Sequence, residues 1–187
     1  ESRIQLYLDL LVKWNHKINL TAEKDPDNIL KRHVFDSLQY SRALEPGFRL
    51  MDIGSGAGFP GIPLKIIFPD MPLVLVESQR KRCSFMETVV RELELVQTEV
   101  INIRAEDISA AREGQFDAVI FRSVSSLKQC LILGERFVSP GGRLIVKKPP
   151  EESPVRQEFS LSLKDDISIT SYQGLVSILL VYEKCFT

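Results

Sequence analysis

The run Asp52-Ile53-Gly54-Ser55-Gly56-Ala57-Gly58-Phe59-Pro60-Gly61 follows a short apolar stretch, Arg49 to Ile53, and leads into a helical one, Gly61 to Phe68. Glycines at alternate positions between a strand and a helix let the backbone turn sharply, and let it lie against whatever is held at the helix N-terminus. Such a turn opens a strand-helix-strand unit, which commits this part of the chain to a parallel sheet with helices over its faces. A dinucleotide-binding loop reads Gly-x-Gly-x-x-Gly, but here Phe59 stands where its third glycine belongs.

The downstream sequence keeps the alternation. Leu73 to Glu77, Val100 to Ile103, Phe116 to Phe121 and Arg143 to Lys147 read as strands, with helices at Arg80 to Leu95 and Leu127 to Val138 and a short turn near Glu106 to Arg112. Ile167 to Thr170 and Leu175 to Glu183 flank Gln173-Gly174 and read as an antiparallel hairpin. Upstream of Pro46-Gly47 the texture is helical. Ile4, Leu6, Tyr7, Leu10, Leu11 and Trp14 recur at three-to-four spacing, and Asp25-Pro26 opens a second helix with a stripe of Ile29, Leu30, Val34 and Leu38. The expectation is an α/β, Rossmann-like chain with a mostly parallel sheet of seven strands and helices on both faces. A helical extension over 1–46 packs on a core over 47–187.

With 187 residues, 44% of them hydrophobic, there is material for one core. The 24 basic and 25 acidic side chains give a net charge of -1, which excludes a cationic body that coats nucleic acid, so any such contact must come from local patches. Cys83, Cys130 and Cys185 lack the spacing of a disulfide framework or a zinc site, and no metal is expected. No stretch approaches the roughly 20 apolar residues of a membrane helix, and the start lacks a signal-peptide layout. A cytoplasmic location is expected.

Chemistry converges on the strand ends. Glu77 closes the second strand, where an acid accepts hydrogen bonds from both hydroxyls of an adenosine ribose. That alone does not separate NAD from S-adenosylmethionine. Ala105-Glu106 follows the third strand, where an adenine edge would be read. The pattern Gly54-x-Gly56-x-Gly58, with Asp52 two residues before it, is the one methyltransferases carry, and it favours S-adenosylmethionine, whose ammonium or a bound water Asp52 would meet.

Several longer motifs agree with one family. Lys13-Trp14-Asn15 with Asn19-Leu20-Thr21, then Arg32-His33-Val34-Phe35-Asp36-Ser37, then Pro60-Gly61-Ile62-Pro63 and Glu77-Ser78 with Lys81-Arg82 occur in order across nearly the whole chain. On these the sequence resembles the glucose-inhibited division protein B family, bacterial small-subunit ribosomal RNA guanine-N7 methyltransferases. The resemblance implies a class I methyltransferase core and cofactor contacts at Gly54, Phe59, Ala105, Glu106 and Arg122, with Asp52, Gly56 and Glu77 expected from the general methyltransferase pattern. Two positions depart from the family. Ser123 stands where alanine is usual, and Lys147 is followed by Lys148-Pro149 rather than glycine.

Guanine N7 carries a lone pair and no proton, so its methylation needs no general base, and catalysis rests on positioning. Arg122, Asn15, His33 and Asp36 are the candidates for orienting the purine. For His33 the competing account is a helix histidine bonded to a carboxylate such as Asp36. RNA contacts are expected from Lys13, Lys17, Lys31, Arg32, Arg80, Lys81, Arg82, Lys147 and Lys148, several gathering at the crevice rim. The partner implied is ribosomal RNA or the small subunit, met by a monomer. Two alternatives stay open: a methyltransferase acting on a small molecule or protein, and a non-enzymatic nucleotide-binding module.

Overall fold

The computed structural model describes residues 2–122 and 126–185, so Ser123 lies outside the described residues. Helix α1 (Arg3–Ile18) starts at Ser2, whose side chain accepts the Gln5 N–H, and ends at Asn19 in a left-handed conformation, φ 49°. Its apolar spacing buries Tyr7, Leu8 and Leu11. The segment expected as one further helix is instead four short pieces. They are α2 (Pro26–Ile29), capped by the Asp25 side chain, a π-helical turn (Leu30–Val34), α3 (Phe35–Leu38) and a 3-10 turn (Gln39–Ala43). In the wider π turn the Phe35 N–H reaches back five residues to the Leu30 carbonyl, and Ile29 and Val34 are buried while Leu30 is left 38% exposed. An α-helical period does not reveal that.

The sheet elements follow as β1 (Leu50–Ile53), β2 (Leu73–Glu77), β3 (Thr98–Asn102), β4 (Phe116–Phe121), β5 (Val138–Lys148), β6 (Gln157–Glu158), β7 (Leu161–Thr170) and β8 (Val176–Lys184). Helices α4 (Gly61–Ile67), α5 (Arg80–Glu92) and α6 (Leu127–Gly134) lie between strands. The order is β3-β2-β1-β4-β5-β8-β7-β6, with the first five parallel and the last three joined antiparallel. Among the described residues there are eight strands rather than seven. The addition, β6, is a two-residue edge pair, Gln157 with Ser162 and Glu158 with Leu161, too short to leave a periodic signal. β7 begins earlier than its apolar residues suggest, because the polar Lys164-Asp165-Asp166 run sits at an irregularity between Leu163 and Asp165. β5 runs from Val138 through Lys148, beyond the expected Arg143 to Lys147 at both ends.

Side-chain alternation sorts the central strands into two cores. Leu50, Leu73, Leu75, Ala118, Ile120 and Ile145 face one cluster, which they share with Tyr7, Leu11, Ile29 and Tyr40. Met51, Val74, Val76, Val119, Leu144 and Val146 face the other, with Leu127 and Leu131 of α6. Each such burial contributes about 1.5–3 kcal/mol. The strand order reverses between β1 and β4, and open sheets offer a crevice at the carboxyl ends of such neighbours. Among the described residues no helix is long and apolar enough to cross a membrane.

Candidate functional site

A cavity of about 620 Å³ opens at that crevice, within the range that holds a nucleoside-sized ligand. Its floor is the turn after β1, where Gly54, Gly56 and Gly58 have φ of 76°, 59° and 91°, backbone that side chains strain to adopt. A methyl group on Gly56 would meet nothing nearer than the Gly54 carbonyl at 4.0 Å, so the space over it is open. The same addition on Gly58 would fall 2.3 Å from Ile62, and on Gly61 it would fall 2.7 Å from Leu75 and 2.8 Å from the Asp52 carboxylate. One glycine therefore clears the cavity and two let α4 close on the sheet.

Glu77, at the end of β2, is 6% exposed. Its carboxylate accepts the Gly56 N–H at 3.0 Å and the Gln79 N–H at 2.8 Å, with the Arg82 guanidinium 3.7 Å away. A carboxylate has about four acceptor positions, so capacity is left for ribose hydroxyls. At the next strand end the 3-10 turn Ala105–Asp107 is held by Arg136, which donates to the carbonyls of Ala105, Glu106 and Ile108. Ala105 and Glu106 line the cavity there, beside Arg104.

The opposite end is built around Arg122, just past β4. Its guanidinium donates to His33 Nδ1 at 3.0 Å, pairs with Asp36 at 3.2 Å and lies 5.5 Å over the Phe59 ring. Because arginine only donates, His33 Nδ1 must accept, which leaves the proton on Nε2 for Thr21 Oγ1, 2.9 Å away. Burial first, and Arg122 second, push the His33 pKa down to about 4. The ring stays neutral with both nitrogens engaged, and it stacks on Phe59 at 5.1 Å. Asp36 is the partner of Arg122 and Lys147, not of His33.

Asp52 lies behind the loop. It is fully buried, its Oδ2 accepts the Gly61 N–H at 2.9 Å, and its Oδ1 has no hydrogen-bond partner among the described residues. Burial, with Glu77 adding, pushes its pKa up to about 7, against the Gly61 N–H and Arg122. The helical extension braces this end. Tyr7 donates to the Ala57 carbonyl at 2.6 Å, and Tyr40 donates to the Phe121 carbonyl at 2.9 Å.

Of the residues singled out from sequence, Gly54, Gly56, Phe59, Glu77, Ala105, Glu106, Arg122, His33 and Arg82 line the cavity. Asn15 does not. Its amide group donates to the carbonyls of Thr21 and Glu23 and accepts the Thr21 N–H, so its contact with the site runs through Thr21. The basic residues do not gather on the cavity wall as a group. Lys13, Lys17, Arg80 and Lys81 are exposed on α1 and α5, Lys31 pairs with Asp27, Arg32 with Glu23, Lys147 with Asp36 and Lys148 with Glu152. Thr21 and Arg104 join the wall without having been singled out. Thr21 had a signal, its place in the Asn19-Leu20-Thr21 motif, while Arg104 had none.

A model of the family described as rRNA small subunit methyltransferase G, GidB, matches residues 1–173. A relative of that name from Desulfitobacterium hafniense is 41% identical over 148 residues, 78% of this chain and 62% of its own length. One from Pseudomonas aeruginosa is 34% identical over 185 residues, covering 97% of this chain and 86% of its own. The chain thus spans less than two-thirds of the first relative. Among solved structures, a mutant of MtNAS in complex with S-adenosylmethionine superposes with TM-score 0.64 at 19% identity, covering 97% of this chain and 76% of that one. The M. jannaschii TYW2 protein in complex with AdoMet gives 0.62 at 14% identity, over 81% and 74%. These likenesses concern the Rossmann-like fold.

Proposed function

The chain belongs to the rRNA small subunit methyltransferase G family, and from that premise we propose that it moves the methyl group of S-adenosylmethionine to N7 of a guanine in small-subunit (16S) ribosomal RNA. The observation that carries the cofactor assignment is the open space over Gly56 beside a buried Glu77. Bare backbone there admits the methionine end of the ligand, and Glu77 meets its ribose. Ala105 and Glu106 meet the adenine, and Phe59 walls the methionine end. When bound, the cofactor supplies an electrophilic methyl group on a sulfonium.

The protein's part is orientation. Arg122 is held from three sides, by His33, Asp36 and the Phe59 ring, so its guanidinium has one direction in which to meet the purine. Holding nucleophile and methyl carbon in line contributes on the order of 7–11 kcal/mol to such a reaction. His33 and Asp36 act by holding Arg122, and Asn15 by holding Thr21 against His33. No residue is assigned as general base. The protein works as a monomer in the cytoplasm, where its particle substrate is found.

Labelled S-adenosylmethionine offered to small subunits from cells lacking this protein tests the reading. Label is expected on N7 of a guanine of the RNA. Label on a ribosomal protein or a metabolite, or calorimetry showing affinity for NAD and none for S-adenosylmethionine, would overturn it.

A further inference from the structure

We propose that Tyr172, at the tip of the β7–β8 hairpin, is a stacking ledge for an unpaired base of the RNA that carries the reacting guanine. The proposal rests on the RNA reading of the crevice.

The topology places the tip at the right edge. β8 runs antiparallel to β5 with Ile178 opposite Lys148, so the residues joining β7 to β8 lie at the same side as the carboxyl ends of the parallel strands. The tip is a firm turn, in which Ser171 N–H donates to the Leu175 carbonyl at 2.8 Å and Gly174 N–H to the Ser171 carbonyl at 2.9 Å. It leans on the π-helical turn that carries His33 and on the first residue of α3. Phe35 meets the Tyr172 ring edge-on at 6.2 Å, Lys31 Nζ lies over it 5.4 Å from the centroid, and the Gln173 amide oxygen, turned toward Arg32, accepts from its guanidinium at 3.0 Å. Tyr172 is nonetheless 60% exposed. An aromatic this exposed, backed by a second ring and the Lys31 ammonium, with Arg32 held at the neighbouring Gln173, is poorly suited to bury itself and well suited to a flat, electron-rich base beside a phosphate. Arg32 and Lys31 do pair with Glu23 and Asp27, but pairs this exposed hold weakly and yield to a phosphate. Continuity with the cavity is direct, since the Arg32 carbonyl accepts from Arg122 at 3.5 Å and His33 follows on the cavity wall. A base resting on Tyr172 would therefore flank the one that enters the crevice.

The test compares Tyr172→Ala, Tyr172→Phe and Lys31→Gln by steady-state methylation of unmodified small subunits. Fluorescence anisotropy with a labelled single-stranded RNA oligomer accompanies it. Tyr172→Ala is expected to raise KM for the particle and the Kd for the oligomer roughly 5- to 150-fold, the range of one lost base stack. Tyr172→Phe should stay near wild type, and Lys31→Gln should weaken binding and flatten its salt dependence. S-adenosylmethionine affinity, read by calorimetry, should not change in any of the three. An unchanged KM and Kd in Tyr172→Ala overturns the ledge, as does a Phe variant as poor as the Ala one. A raised particle KM with an unchanged oligomer Kd would mean a protein docks there, and also overturns it. If the wild-type chain methylates no RNA, the functional reading fails on its own, and the oligomer Kd still decides the ledge.

Discussion

Protonating His33 would put a second positive charge 3.0 Å from the Arg122 guanidinium, at a half-buried position. That is why burial and Arg122 together hold its pKa near 4 rather than the ordinary 6.5. Between those values the unfolded chain binds a proton at this position and the folded chain does not. Stability from this group is therefore complete above about 6.5 and is lost as pH falls through about 4. Asp52 runs the other way. Its pKa rises from 3.8 to about 7, so the folded chain binds the extra proton, and that stability is present below 3.8 and lost as pH rises through about 7. Across the overlap the two slopes oppose each other, and removing either group exposes its partner's slope. Urea midpoints measured along a pH series should rise with pH between about 4 and 6.5 in Asp52→Asn, and fall with pH between 3.8 and about 7 in His33→Gln. Parallel profiles for the two variants would contradict the burial argument at both positions.

The turn joining β1 to α4 shows how one element divides its glycines between binding and packing. Gly56→Val places its side chain in open cavity, so the variant should stay folded, less stable by about 1–2 kcal/mol from the positive φ. Its affinity for S-adenosylmethionine should be lost. Gly61→Ala crowds Leu75 and the Asp52 carboxylate and should cost about 1–3 kcal/mol of stability. Calorimetry and thermal unfolding separate the two, and undiminished binding by Gly56→Val would remove the ligand from this turn. Such elements are legible in sequence because a strand, a glycine turn and a helix each leave a short local pattern. β2 and β4 begin and end where their apolar runs do. The π turn is not legible, because the His33 it carries is held by Thr21 and Arg122, contacts made across the fold that leave no local pattern. The same holds for Lys147. Its run of charge reads as a surface feature, whereas Asp36, 111 residues earlier, turns it inward.

At the scale of the molecule, the boundary near residue 46 separates two sequence textures, yet the two sides share one hydrophobic cluster. Tyr7, Leu11, Ile29 and Tyr40 close over Leu50, Leu73 and Ile120 on one face of the sheet, and Trp14 and Tyr7 meet Phe85 of α5. Two hydroxyls from the extension also satisfy carbonyls at the site, those of Ala57 and Phe121. If residues 1–46 were an appended RNA clamp, a chain of residues 47–187 would fold and bind S-adenosylmethionine while failing only on particles. With that face uncovered, the sheet instead keeps a single packed side, and each buried side chain left in water forfeits about 1.5–3 kcal/mol, against a total stability of about 5–15 kcal/mol for a domain. The truncated chain should therefore show no cooperative thermal transition and no cofactor heat in calorimetry. A sharp transition with cofactor binding intact would make the extension an accessory, and would transfer the positioning of the glycine turn to the sheet alone.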